Sequence, residues 1–268
     1  VRVNARTRNN VRVVGAPDGP VLMLAHGVGC DQTLWRSLTT ILAADFRIVL
    51  FDHVGAGASD PSAWNADDYS TLDAYARDIA AIADELELDD ITFVGHSVSA
   101  MMGVLAADAA PERFSKLVML VPSPRYIDDG DYRGGFSRED IDELLDSLDS
   151  NYLGWSASMA PVVVNAPDRP ELEAEWIDSF CRTDPARVRL FARTTFLSDN
   201  RADLATVTVP TLIVDCARDS LAPPQVGRYV NEHIAGSTLT TLDASGHCPH
   251  VTVPEQTAEA IATFVRSS

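Results

Sequence analysis

The sequence predicts an α/β protein: a mostly parallel sheet with helices on both faces, interrupted once by a helical insertion. Three observations carry this. Short runs rich in Val, Ile and Leu alternate with amphipathic stretches along most of the chain, the order that produces parallel strands joined by crossover helices. Those runs are apolar throughout and do not alternate with polar residues, as strands buried on both faces require. Between residues 122 and 199 the strand signal stops and only helix starts remain.

Taken in order, residues 11–14 form a first extended segment. The turn residues Pro17-Asp18-Gly19-Pro20 follow it, predicting an antiparallel edge hairpin with the next strand, 21–25. Further strands are expected at 47–51, 91–94, 117–121, 211–214 and 239–242, with helices at 33–44, 72–87, 98–110, 224–235 and 254–266. In the insertion, helix starts are signalled by Ser137 ahead of Glu139 and Asp140, by Asn151, by Arg169-Pro170-Glu171 and by Asp184-Pro185. The expected division is a core of 1–121 and 200–268, with 122–199 as a cap. The cap carries more apolar bulk than exposed helices need, including Phe136, Trp155, Met159, Val162, Val163, Trp176, Phe180, Phe191 and Phe196. Most of these are expected to pack on one another, whereas Phe136, Trp155, Met159 and Phe196 are the candidates for lining an apolar pocket.

Composition narrows the function. The net charge of −18 repels phosphate backbones and anionic membrane surfaces, so nucleic-acid and membrane binding are not expected. Cys30, Cys181, Cys216 and Cys248 show neither metal-ligand spacing nor the density of a disulfide scaffold and read as free buried thiols. No apolar stretch reaches membrane-spanning length, and the protein reads as soluble and cytoplasmic.

Residues 91–99, Ile-Thr-Phe-Val-Gly-His-Ser-Val-Ser, read as a buried strand, a tight turn and a helix start with Ser97 at the apex. That is the setting in which a strained turn lifts a hydroxyl above the strand ends. A serine hydroxyl is a weak nucleophile unless a histidine takes its proton and an acid orients that histidine. Both follow downstream: Asp219 lies just after the 211–214 strand, and His247 lies in Ser245-Gly246-His247-Cys248-Pro249 after the last one. Asp215, still at the strand end, is the weaker candidate acid. Of the other histidines, His250 is assigned a solvent-side or helix-capping role, His96 packs against the loop, His26 and His53 are structural, and His233 sits on an exposed helix. None has metal-ligand spacing, and no metal is expected. The loop His26-Gly27-Val28-Gly29 lets backbone amides face the site, so the Val28 and Val98 N–H groups are the candidate oxyanion donors. Asp52-His-Val-Gly55-Ala-Gly57-Ala-Ser59-Asp60 lacks the third glycine of a dinucleotide fingerprint, and hydrogen bonds from Asp52 and Ser59 to backbone explain it better.

Together these loops, the serine elbow and the distal Asp and His resemble the α/β-hydrolase family over essentially the whole chain. More narrowly, Gly27-Val-Gly-Cys-Asp-Gln32, the segment 117–124, Gly134-Gly-Phe136, Asn151-Tyr-Leu-Gly-Trp155, the segments 167–171 and 180–185, and Gly246-His-Cys-Pro-His250 are similar to the RsbQ-like hydrolases. Those are bacterial stress-signalling proteins related to the plant karrikin and strigolactone receptors. The resemblance implies a mostly parallel eight-stranded sheet, a V-shaped four-helix cap over an apolar pocket, and a triad of Ser97, Asp219 and His247 that uses no cofactor. It further implies a small apolar ester or lactone as substrate and a PAS-containing phosphatase of the RsbP type as partner. Val28 stands where relatives commonly have phenylalanine, which implies a larger pocket, and Ser99 stands for the second glycine of Gly-x-Ser-x-Gly. Two functions are carried forward: a serine hydrolase of small esters or lactones, and a ligand sensor in which slow hydrolysis is secondary and the cap signals.

Overall fold

A computed structural model describes residues 4–267. A seven-stranded sheet forms the centre, built from β1 (Arg12–Gly15), β2 (Val21–Ala25), β3 (Arg47–Leu50), β4 (Ile91–His96), β5 (Phe114–Leu120), β6 (Thr211–Arg218) and β7 (Thr238–Ser245). Across the sheet the order is β1-β3-β2-β4-β5-β6-β7, with β1 antiparallel and the remaining neighbours parallel. All six residues of β4 are buried, as a central strand covered on both faces must be.

Alternation along the strands feeds two cores. Phe93 and Met23 face the layer of α3 (Leu72–Glu85), α4 (Val98–Ala109) and α9 (Pro224–His233). Val94, Leu22 and Leu24 face α2 (Arg36–Leu42) and α11 (Pro254–Arg266), where Leu38, Leu42, Ala258 and Ile261 meet them. α4 is buried on nearly every side, and Gly103 lets it approach the ring of Phe93. Two single turns, α1 (Ala5–Arg8) and α10 (Pro249–Thr252), complete the core. Among the described residues no helix is long and apolar enough to cross a membrane.

Two expectations about the sheet are corrected. β1 pairs with β3 (Arg12 opposite Leu50, Gly15 opposite Arg47) and forms no hairpin with β2. β3 already occupies the flank of β2, so the turn after Gly15 crosses the end of β3, where the Ala16 N–H donates to the Phe46 carbonyl at 2.9 Å. The sheet also has seven strands among the described residues and not eight. The segment ahead of β1 coils into α1, capped by the Asn4 side chain on the Thr7 N–H, so it supplies no further strand.

Between β5 and β6 lie α5 (Arg138–Ser150), α6 (Tyr152–Val163), α7 (Pro170–Arg182) and α8 (Pro185–Phe196). Each begins where its signal stood. Ser137 and Asp140 form a reciprocal capping box, Asn151 and Asp184 accept from backbone N–H groups, and Pro170 and Pro185 open α7 and α8. Tyr152, Trp155, Trp176 and Phe180 stack inside these helices, with centroids 4.8 Å apart for Tyr152 and Phe180 and 5.2 Å for Trp176 and Phe180. Phe191 turns the other way and stacks on Tyr75 of α3 at 4.8 Å, fastening α8 to the core.

Candidate active site

β4 ends in Gly95-His96 and the chain reverses at Ser97, whose φ of 58° and ψ of −126° are strained for a residue with a side chain. The strain is held in place: the Ser97 N–H donates to the Leu120 carbonyl at 2.9 Å, and the Ala100 N–H donates to the Ser97 carbonyl at 3.0 Å. Gly95 permits the tightness, because a Cβ there would overlap the Ser99 carbonyl.

Asp219 follows β6 by one residue. Its Oδ1 accepts from the Leu221 and Ala222 N–H groups at 2.8 and 3.1 Å, while its Oδ2 faces His247 Nδ1 at 2.7 Å. His247 follows β7 after Gly246, and its backbone N–H donates to the Val163 carbonyl at the end of α6 at 2.6 Å. His247 Nε2 lies 2.8 Å from Ser97 Oγ. With Nδ1–H donating to the carboxylate, Nε2 is the free base and accepts the Ser97 hydroxyl proton. All three residues are buried, so these bonds act in a medium that screens charge weakly. Tyr126 OH lies 3.2 Å from Ser97 Oγ on the other side, and burial pushes its ionisation up, so it remains a donor.

Gly27 lies directly against Ser97: a Cβ built on it would be 3.1 Å from Ser97 Cβ and 2.8 Å from His96 Nδ1. The loop backbone thus passes beside the Ser97 side chain. Neither the Val28 nor the Val98 N–H has a hydrogen-bond partner among the described residues. Val98 opens α4, where an N–H has no intrahelical acceptor.

The carboxylate of Asp215 is buried nearby with Oδ2 unpartnered. Burial first, and then the negative charge of Asp219, push its pKa up to about 7. His250 departs from its expected role. It is 1% exposed, with its ring 4.4 Å from both Trp35 and His96, because α10 turns its side chain into the core. Burial, then the nearby His247, lowers its pKa to about 3. His96, His250 and Cys248 place one potential ligand atom each within 4.8 Å of one another; His96 Nε2 donates to the His247 carbonyl at 2.7 Å, and the Nδ1 atoms of His96 and His250 have no hydrogen-bond partner among the described residues. His26 and His53 are buried, and His233 is exposed on α9. Three cysteines are buried and free, whereas Cys181 of α7 is exposed.

Above the three side chains is a cavity of about 40 Å³ bordered by Val28, Tyr126, Trp155, Met159, Trp176 and Phe196. Phe136 is not among the residues around it. Its backbone is bound to that of Tyr126 and Asp128 at 3.2 and 2.8 Å, and its side chain packs on the cap cluster. Val28 borders the space together with Trp155, Trp176 and Phe196. The Asp52 loop is a structural turn: Asp52 accepts from the Gln32 and Ala58 N–H groups, both at 2.9 Å, and Ser59 Oγ accepts from Gly55 N–H at 3.0 Å.

A serine on a strained strand-to-helix turn, followed in chain order by an acid and a histidine that meet it, is the α/β-hydrolase arrangement. The model of the alpha/beta hydrolase family matches residues 21–260. The chain belongs to that family. Among proteins similar to this α/β hydrolase are the strigolactone esterase D14 of Arabidopsis thaliana, 39% identical over 93% of each chain, and the strigolactone esterase RMS3 of Pisum sativum, 39% identical over 94% of each. The karrikin insensitive 2 receptor IA of Petunia hybrida is 37% identical over 95% of this chain and 93% of its own length. A solved hydrolase from Oleispira antarctica superposes with a TM-score of 0.96 at 38% identity, over all of this chain and 99% of the other.

Sequence reasoning passed over Tyr126 in this hydrolase, and it counted Trp176 among the apolar residues of 122–199 without placing it at the pocket. Tyr126 follows β5, the strand beside the elbow strand β4. A residue just beyond the carboxyl end of a neighbouring strand is the signal that points to it.

Proposed function

We propose that the protein is a serine hydrolase of small apolar carboxylic esters or lactones. The continuous hydrogen-bonded chain from Ser97 through His247 to Asp219 carries this reading. Ser97 Oγ attacks the carbonyl carbon as its proton passes to His247 Nε2. The negative charge that moves to the carbonyl oxygen is met by the Val28 and Val98 N–H groups. Collapse breaks the bond to the alcohol oxygen, which leaves with the proton from His247 and gives an acyl-Ser97 ester. Water then adds, with His247 again taking the proton, and Ser97 is released with the carboxylic acid. The balance closes with water alone, so no cofactor is required. Esterase-named relatives at 39% identity support an ester as substrate. A cavity of about 40 Å³ favours a short acyl group, and free thiols suit a reducing, cytoplasmic setting.

Hydrolysis of 4-nitrophenyl acetate by the protein and by Ser97→Ala tests the reading. The variant is expected to lose at least about 10³-fold in kcat, and a variant as active as the parent would refute it.

A second reading is favoured by the tightness of the cavity and by receptor-named relatives. Here residues 122–199 act as a moving cap, ligand entry shifts it, and slow hydrolysis ends the signal. The RsbQ-like resemblance would make the partner a PAS-containing phosphatase. A non-cleavable ester analogue should then change hydrogen exchange in α5–α8, and unchanged exchange with bound analogue leaves a plain esterase.

A further inference from the structure

Ser99 occupies the position where Gly-x-Ser-x-Gly has its second glycine, and its hydroxyl is fully buried and engaged. Ser99 Oγ lies 2.6 Å from the His26 carbonyl and 2.8 Å from His53 Nε2. The His53 backbone N–H points at His26 Nε2 at 3.1 Å, and His26 Nδ1 faces the Gly27 carbonyl at 2.9 Å. These partners fix the protons. A carbonyl can only accept, so His26 carries its proton on Nδ1; an N–H can only donate, so His26 Nε2 is bare. Ser99 spends its own proton on the His26 carbonyl, and His53 Nε2, which also lies 3.1 Å from that carbonyl, carries a proton that it shares between the carbonyl and Ser99 Oγ. Burial, and then the neighbouring His26, hold the His53 pKa well below its ordinary value, consistent with a neutral ring.

We propose that Ser99, His53 and His26 are positioning residues that aim the Val28 N–H at the developing oxyanion. The proposal rests on the serine-hydrolase reading above. The Gly27 carbonyl accepts from His26 Nδ1 and, at 3.3 Å, from the Cys30 N–H. In a planar trans peptide the N–H points opposite to the carbonyl of the preceding residue. Holding the Gly27 carbonyl on the His26 side therefore turns the Val28 N–H away from it, and Val28 borders the cavity with Ser97 and His247. The loop contains Gly27 and Gly29, so its backbone would rotate freely without such a clamp. The network ties it to the first turn of α4, which carries the other donor, Val98. Both oxyanion donors are thereby fixed to one rigid element.

The test has two readouts. Nitrogen-15 NMR of the unmodified protein should show His26 protonated on Nδ1 and His53 on Nε2; His26 protonated on Nε2 would overturn the network. Ser99→Ala should lower kcat for 4-nitrophenyl acetate by about tenfold, a fraction of the ~10²–10³ lost with a whole oxyanion donor, with KM within about twofold. Affinity for a boronic acid that forms a tetrahedral adduct on Ser97 should fall by the same factor as kcat. A kcat or boronate affinity equal to the parent's would refute the proposal, since a merely structural serine moves neither selectively. Should Ser99→Ala not fold, the histidine tautomers decide. Inactive Ser97→Ala beside fully active Ser99→Ala sinks the network alone, whereas active Ser97→Ala sinks the triad reading and the network with it.

Discussion

Asp219 and Asp215 sit four residues apart at the end of β6, both buried, and their partners give them opposite characters. Asp219 accepts from two backbone N–H groups and faces His247 Nδ1. Burial, and then the negative charge of Asp219, favour the acid form of Asp215, whose Oδ2 has no partner. Asp219→Asn is therefore expected to lower kcat by about 10⁴, as the analogous change does in a serine protease, while Asp215→Asn keeps kcat within about threefold; steady-state rates on a nitrophenyl ester measure both. Asp215 also sets a pH dependence of stability. Its folded pKa of about 7 lies above the ordinary value of 3.8, so its contribution is intact below 3.8 and is lost as pH rises through 7. Unfolding free energies from urea titration should fall between pH 5 and pH 8 in the wild type, by on the order of a few kcal/mol, and fall less in Asp215→Asn. Chain order and turn context made Ser97, Asp219 and His247 legible in the sequence, because each follows a strand end. The burial of His250 was not legible, since it depends on which way a single helical turn faces. The bonds of Ser99 depend on a histidine 46 residues away, and no local pattern announces them.

The same contrast holds among the elements. The starts of α5–α8 were readable because capping is local: Ser137, Asn151 and Asp184 bond to N–H groups two or three residues ahead. The partner of β1 was not readable. Pairing with β3 depends on where α2 returns the chain, and a turn signal says nothing about a strand 30 residues on. The aromatic stack of α6 and α7 determines how much space lies over Ser97. Trp155→Ala should enlarge the cavity and raise kcat/KM for a hexanoate ester relative to acetate by about tenfold or more. The lost packing should cost roughly 3–5 kcal/mol. Ester chain-length profiles and thermal denaturation check the two effects, and an unchanged profile would mean that Trp155 does not limit the acyl group. Gly246 joins β7 to His247 at a φ of 88°, and a Cβ there would overlap the Val164 carbonyl. The histidine loop thus fits only because the end of α6 is where it is, which ties α6 to the position of His247.

At the scale of the whole molecule, a net charge of −18 surrounds a closed apolar site. An anionic ester should therefore react more slowly than a neutral one of equal size, and raising salt from about 10 to 200 mM should narrow the gap by screening. Initial rates at low substrate for the two esters test this, and a salt-independent ratio would contradict it. All else depends on Ser97 being the nucleophile. The most direct test is mass spectrometry after reaction with a serine-directed phosphonate. One phosphonyl group per chain, found on the peptide containing Ser97 and absent in Ser97→Ala, is the predicted result. Stoichiometric labelling on another residue, or labelling that persists in the variant, would contradict the account.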